Sequence, residues 1–148
     1  NDLGADRRQC NPWQIDPKIV LAETEINALG PMMVTRGLVE LLEAGNNPVV
    51  MNTSSQLGSM VIGAMMPFDV AYNVSKAAVN MITVMSASTN KNIAFVALHP
   101  GWVKTDMGTE AAELEVPDAA NAIVESLLGL TIEDTGRFIR WDGTDHPW

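Results

Sequence analysis

"IAFVALHP", residues 93–100, is a near-continuous apolar run closed by a proline. A strand wetted on one side alternates apolar and polar residues, whereas one covered on both faces has no need to, and that is the usual condition in a parallel sheet. Reading this octet as a doubly covered strand decides the fold class, because parallel neighbours need crossovers long enough to hold a helix. Both flanks supply one. Residues 70–89 form a helix, and before them "PVVMNTSS", 48–55, is short, β-branched and bounded by turn formers, as a buried strand should be. Downstream, a helix runs from about Pro117 to Leu128, with proline in its first turn and Gly129 just past its end. "RFIRW", 137–141, is then a last strand, out of which Asp142-Gly143 turns.

The same reading extends upstream. From about Lys18 to Ala44, Val20, Leu21, Leu38, Val39, Leu41 and Leu42 recur at helical spacing, and Gly45-Asn46-Asn47-Pro48 supplies the stop. This predicts one long helix, bent at Gly30-Pro31 where the proline has no backbone donor. Residues 1–17, rich in Asp, Arg, Asn and Pro, read as a loop. Strands separated by helices in this order imply right-handed crossovers and an α/β fold with a parallel sheet.

Size and charge narrow the function classes. The 148 residues suit a single domain spanning 1–148. No apolar run approaches the roughly 18 residues of a membrane span. Nine Lys plus Arg against 18 Asp plus Glu give a net charge of -9, which would repel a phosphate backbone, so nucleic acid is not an expected partner. Cys10 is the only cysteine, so no internal disulfide is possible, and with no basic-then-apolar leader the expected compartment is a reducing cytoplasm. The acceptor patterns at Asn52 and Asn73 are read as accidental in that setting.

"AYNVSKAAVN", 71–80, places the only tyrosine, Tyr72, four positions before Lys76, on one helix face and a turn apart. Alone, the pair is as well explained by a surface tyrosine beside a solvated lysine. Its company carries more weight. The strand before it ends in Ser54-Ser55 and the strand after it in "HPGWVKTDMG", so three polar, turn-rich segments converge at the carboxyl ends of parallel strands, where such sheets open onto a ligand crevice.

These residues resemble the short-chain dehydrogenases/reductases, in particular the branch of C-factor and sniffer-type carbonyl reductases. The resemblance runs through "INALGP" (26–31), "NTSS" (52–55), "AYNVSKAAVN" (71–80), "ALHPGWVKTDMG" (97–108) and "GRFIRWDG" (136–143). It implies a Rossmann-like, doubly wound sheet, a nicotinamide cofactor (NAD or NADP) and a small carbonyl or alcohol substrate. It also implies a catalytic set of Asn27, Ser55, Tyr72 and Lys76, with Ser54 and Ser59 as weaker candidates for the serine. In that reading Tyr72 is the proton donor to the forming alkoxide, and Lys76, together with the positive nicotinamide ring, lowers the Tyr72 pKa while also holding the nicotinamide ribose. Ser55 binds the substrate oxygen, and Asn27 holds a water that feeds protons back through Lys76. Pro100 and Gly101 make the turn that presents the Val103 backbone to the carboxamide and Thr105 to a phosphate. Ser55 also reads as a strand-end cap, and Asn27 as a partner for carbonyls freed by the kink.

The remaining side chains carry less. His99 reads as a packed ring rather than a metal ligand, because the only other histidine, His146, is at the far end and no cysteine stands nearby; no metal is expected. Met65, Met66, Phe68 and Met107 suit a substrate pocket and a core equally. Glu110, Glu113 and Glu115 read as a solvated lid surface.

One departure shapes the expectation. The family receives the pyrophosphate on Thr-Gly-x-x-x-Gly-x-Gly after its first strand, and none of the eleven glycines here fits that pattern or G-x-G-x-x-G. "NDLG" at 1–4 aligns with the end of the family's fourth strand, so the expected fold is partial, without the first four strands. A "VVMNTSS" strand without its outer neighbour exposes an apolar edge, which predicts a homo-oligomer joined there or through the faces of helices 18–44 and 70–89. Two functions follow: an NAD(P)-dependent oxidoreductase, or a non-catalytic interaction module that inherited the fold and does not bind the dinucleotide.

Overall fold

The computed structural model describes residues 10–66 and 68–148. Three strands, β1 (Val49–Thr53), β2 (Ala94–His99) and β3 (Phe138–Arg140), form a parallel sheet in the order β1-β2-β3. Val49 to Thr53 pair with Ala94 to Leu98, and Ala97 to His99 pair with Phe138 to Arg140. Every residue of β2 is buried, as its unbroken apolar pattern requires. Along the strands the side chains alternate between two cores. Val96, Leu98 and Ile139 meet Ile123 and Leu127 on one face, while Phe95 and Val50 meet Ala87, Val39 and Leu42 on the other. Burying such a side chain stabilises the fold by about 1.5–3 kcal/mol. Helices therefore cover both faces, as in a doubly wound sheet.

The helices are α1 (Pro17–Thr24), α2 (Gly30–Glu43), a single-turn α3 (Ile62–Met65), α4 (Val70–Thr89) and α5 (Val116–Gly129). α4 links β1 to β2 across one face, and α5 links β2 to β3 across the other. Asp69 starts α4: its side chain accepts from Ala71 N at 3.0 Å and Tyr72 N at 3.3 Å, which fixes Tyr72 in the first turn at the carboxyl rim of the sheet. Asp16 caps α1 in the same way, with Pro17 in its first turn.

The bend expected near Gly30-Pro31 takes the form of a π-helical turn, Glu25–Leu29, between α1 and α2. Gly30 N–H donates to Glu25 O, and Pro31 cannot donate to Asn27 O, so the wider turn moves the ring away from the carbonyl with which it would collide. Asn27 sits inside this turn. The connection before α4 is more ordered than the sequence suggests: a 3₁₀ turn, Gln56–Gly58, leads into α3. Of the loop expected at residues 1–17, positions 1–9 lie outside the described residues, and so does Pro67.

β1 pairs only with β2 among the described residues, and Val49, Val50 and Met51 along it are half-buried. No described residue of α2 is buried, and Met33, Val34 and Leu41 face outward. No helix among the described residues is long and apolar enough to cross a membrane.

Candidate active site

α4 delivers Tyr72 and Lys76 one turn apart. The Lys76 ammonium stands 5.4 Å from the centre of the Tyr72 ring and donates to the Thr53 carbonyl at 3.1 Å, at the end of β1. An ammonium carries three donors, and this contact uses one. Ser55, two residues beyond Thr53, stands near enough to the Tyr72 phenol to favour its ionised form, and its Oγ accepts from Leu57 N at 3.2 Å. Strand end and helix start thus bring Ser55, Tyr72 and Lys76 together.

Asn27 reaches the same cluster from the π turn. Its Nδ2 donates to Ser75 Oγ at 3.0 Å, and Ser75 Oγ donates to Tyr72 O at 2.8 Å. Ser75 is fully buried and adjoins Lys76, so the asparagine is tied to the helix turn bearing both groups. Sequence reasoning missed Ser75; a serine immediately before the lysine on a buried helix face was the available signal.

The electrostatics differ from the simple expectation that the lysine acidifies the phenol. Burial raises the Tyr72 pKa above the ordinary tyrosine value, the Ser55 side chain works against that, and the Glu23 carboxylate adds to it. Burial also pushes Lys76 below the usual lysine value, opposed by Glu23. The ammonium is directed at a carbonyl oxygen rather than at the phenolic one, and both groups lose hydration together.

Neither alternative serine reaches the tyrosine. Ser54 is buried and donates to Asn80 Oδ1 at 2.5 Å, behind α4. Ser59 donates to Trp148 O at 3.0 Å and accepts from Val61 N and Ile62 N at 3.2 and 3.1 Å, which ties it to the turn that leads into α3.

After β2, Gly101 turns the chain at φ +86°, a conformation that side chains disfavour, and a Cβ there would also lie 2.4 Å from Leu114 Cδ1. Leu114 N donates to Trp102 O and Lys104 N donates to Leu114 O, at 3.1 and 2.9 Å. Backbone groups alternate sides along an extended chain, so the Val103 N–H and C=O point away from Leu114. Thr105 is exposed; its hydroxyl donates to Val103 O at 3.3 Å and accepts from Gly108 N at 3.1 Å. Met65, Met66, Phe68 and Met107 are all exposed, so none belongs to the core. Glu110 and Glu113 are exposed, whereas Glu115, also exposed, pairs with Lys104. Two cavities lie elsewhere: one of about 450 Å³ beside α5 and β3, including Ser126 and Arg137, and one of about 300 Å³ between α2 and α4, including Val39 and Ile82. The cluster around Tyr72 lies on the open rim of the sheet.

His146, distant in sequence, is close in space. Its ring lies 5.3 Å from that of His99 and edge-on to Phe138 at 4.8 Å. His99 Nδ1 and His146 Nε2 are buried with no hydrogen-bond partner among the described residues. Burial first, then His146 and Arg140, lower the His99 pKa to about 4. Among the described residues no three or more His, Cys, Asp or Glu side chains are grouped to hold a metal. The unfolded chain binds a proton at His99 near pH 6.5 and the folded chain only near 4, so the stability this neutral ring contributes is complete above pH 6.5 and is lost as pH falls toward 4. The expected loss between pH 7 and 5 is about 2 kcal/mol. Urea unfolding at both pH values, compared with His99→Gln, checks it: the variant should lose less stability over that interval, and equal losses would show that His99 does not titrate in this way.

A family model described as short chain dehydrogenase matches residues 8–115. The C-signal protein of Myxococcus xanthus is 37% identical over 155 residues, which cover 100% of this chain and 90% of that protein. The short-chain dehydrogenase srdF of Neurospora crassa is 35% identical over 150 residues, covering 91% of this chain but 58% of the dehydrogenase. The structure of the carbonyl reductase Sniffer of D. melanogaster superposes with a TM-score of 0.88 at 30% identity, over 95% of this chain and 61% of that one. An NADPH-bound carbonyl reductase from chicken fatty liver gives a TM-score of 0.85 at 26% identity, over 100% and 61%. The chain thus spans about three fifths of these dehydrogenase and reductase relatives. The parallel sheet, the extent of the family match and the reductase neighbours lead to one conclusion: the chain belongs to the short-chain dehydrogenase/reductase family, on its carbonyl-reductase-like side.

Proposed function

We propose that this chain carries the catalytic half of an NAD(P)-dependent oxidoreductase acting on a small carbonyl or its alcohol. The observation that carries this reading is the meeting of Ser55, Tyr72 and Lys76 at the carboxyl rim of a parallel sheet, with the Ser55 hydroxyl beside the phenol and the Lys76 ammonium 5.4 Å from its ring centre. Tyr72 donates the proton to the oxygen that gains charge, Ser55 fixes that oxygen, and Lys76 holds positive charge beside the phenol. Asn27, through Ser75, holds the helix turn that presents both. A nicotinamide dinucleotide, when bound, supplies the hydride. The nicotinamide end of such a cofactor suits the groups present: the free donors of Lys76, the Val103 backbone directed away from Leu114, the turn at Pro100-Gly101 and the Thr105 hydroxyl. The pyrophosphate end has no glycine-rich counterpart in the sequence. A cytoplasmic setting agrees with the single cysteine.

A second reading rests on a different observation. The chain spans 90% of the C-signal protein, against 58% of the dehydrogenase srdF. In that reading the fold is kept as an interaction or signalling module without turnover. Either reading accommodates a homo-oligomer, supported by the edge of β1 that no described residue pairs and by the outward Met33, Val34 and Leu41 of α2. Titration with NADH and NADPH, followed by nicotinamide fluorescence, separates the two readings. Saturable binding at or below millimolar cofactor supports the enzyme, and its absence there leaves the interaction module. Light scattering on the same sample tests assembly, and a stable monomer at micromolar concentration would rule it out.

A further inference from the structure

Four polar residues of α4 meet four consecutive residues at the end of β1. Asn52 Nδ2 donates to Thr83 Oγ1 at 2.9 Å, Lys76 Nζ to Thr53 O at 3.1 Å, and Ser54 Oγ to Asn80 Oδ1 at 2.5 Å, and Ser55 stands beside Tyr72. On the helix these partners are 83, 76, 80 and 72, a stripe at helical spacing. On the strand side they are 52 to 55, so strand exit and helix meet residue by residue. Asn80 is the member that ties two segments at once. Its Oδ1 takes the Ser54 hydroxyl and its Nδ2 donates to Gly58 O at 3.2 Å, so one buried amide bonds the residues on either side of Ser55. It is only 5% exposed, too dry for water to replace either bond cheaply.

The fit around it is close. A Cβ on Gly58 would stand 2.6 Å from the Lys76 carbonyl carbon, so the 3₁₀ turn rests directly on the helix at the lysine. A buried amide that bonds two backbone segments in one register specifies a geometry that apolar packing alone leaves loose.

We infer that Asn80 is a positioning residue for the catalytic serine: by clamping Ser54 and Gly58 to α4 it fixes where the Ser55 hydroxyl stands beside Tyr72. The inference rests on the active-site reading above, but its test does not need turnover. Tyr72 is the only tyrosine in the chain, so protein labelled with [13Cζ]tyrosine gives one resonance, which reports the hydrogen bonding of that phenol at pH 7. Ser55→Ala removes the hydroxyl beside the phenol and is expected to move the resonance. Asn80→Ala is expected to move it in the same direction by at least half as much, and the double variant no further than Ser55→Ala alone. Ser54→Ala, which deletes one hydroxyl and keeps the rest of the site, is expected to give a smaller shift of the same sign, and it carries the test if Asn80→Ala does not fold. Asn80 as mere packing predicts a lower melting temperature with the resonance unmoved; that result in Asn80→Ala, or in Ser54→Ala where it stands in, overturns the inference and leaves the active site standing. A resonance that Ser55→Ala itself fails to move overturns both.

Discussion

Tyr72→Phe is expected to lower kcat of the proposed NAD(P)H-dependent carbonyl reduction by about 10²–10⁴-fold, the range that a positioned general acid contributes. The substitution removes only the hydroxyl. The ring stays, and with it the contact with the Lys76 ammonium, 5.4 Å from its centre, so the fold and the helix start capped by Asp69 should survive. Because proton transfer occurs in the transition state, kcat and kcat/KM should fall together, with cofactor affinity changed only a few-fold. The pH dependence separates a chemical role from a structural one. Burial holds the phenol protonated past its ordinary range, with the Ser55 side chain working against it, so the acid form is the one present at neutral pH. Reduction uses that form and should be flat across neutral pH, whereas the reverse oxidation needs the phenolate and should climb as pH rises. Steady-state rates in both directions check this, and a phenylalanine variant within tenfold of the parent would remove Tyr72 from the chemistry.

The parts of this molecule that were legible in its sequence are those set by periodicity and by chain ends. The run at 93–100 announces a strand covered twice, and β2 is buried at every position. The helix expected at 70–89 is α4, residue for residue, because Asp69 caps it and nothing inside it breaks the pattern. Contacts that depend on the third dimension were not legible. Ser54, Ser55 and Ser59 are alike as sequence, and only the exit angle of β1 sends one to Asn80, one to Tyr72 and one to the chain end at Trp148. His99 and His146 are 47 positions apart and become neighbours because the chain turns back at Gly143, φ +78°, and lays His146 N–H on Phe138 O at 2.8 Å. The direction of the Tyr72 shift was missed for a related reason: helical spacing gives the distance between two side chains, but their shared loss of water is set by α1 and β1, which pack from outside the helix.

Gly58→Ala is expected to be among the most damaging single-methyl changes in the chain, costing roughly 3 kcal/mol or more of stability, at the upper end of what overpacking does. The added Cβ would lie 2.6 Å from Lys76 C, 2.8 Å from Lys76 Cβ and 2.8 Å from Lys76 O. Those are backbone and near-backbone atoms in the middle of a twenty-residue helix, so they cannot swing aside as the end of a side chain would. The 3₁₀ turn has to lift instead. Lifting it pulls Gly58 O from Asn80 Nδ2, 3.2 Å apart, and carries Ser55 away from Tyr72, so stability and turnover should fall in the same variant. Gly58 has no positive φ, so the loss would be one of space rather than of backbone strain. Gly37 supplies the contrast: it lies within α2 with nothing inside 4 Å of its would-be Cβ, and Gly37→Ala should stabilise by about 1 kcal/mol through helix propensity. Urea midpoints for the two variants should therefore move in opposite directions from the parent. A Gly58→Ala protein with the parent's midpoint would mean that the turn does not rest on Lys76, and the serine would then need some other means of being held against the tyrosine.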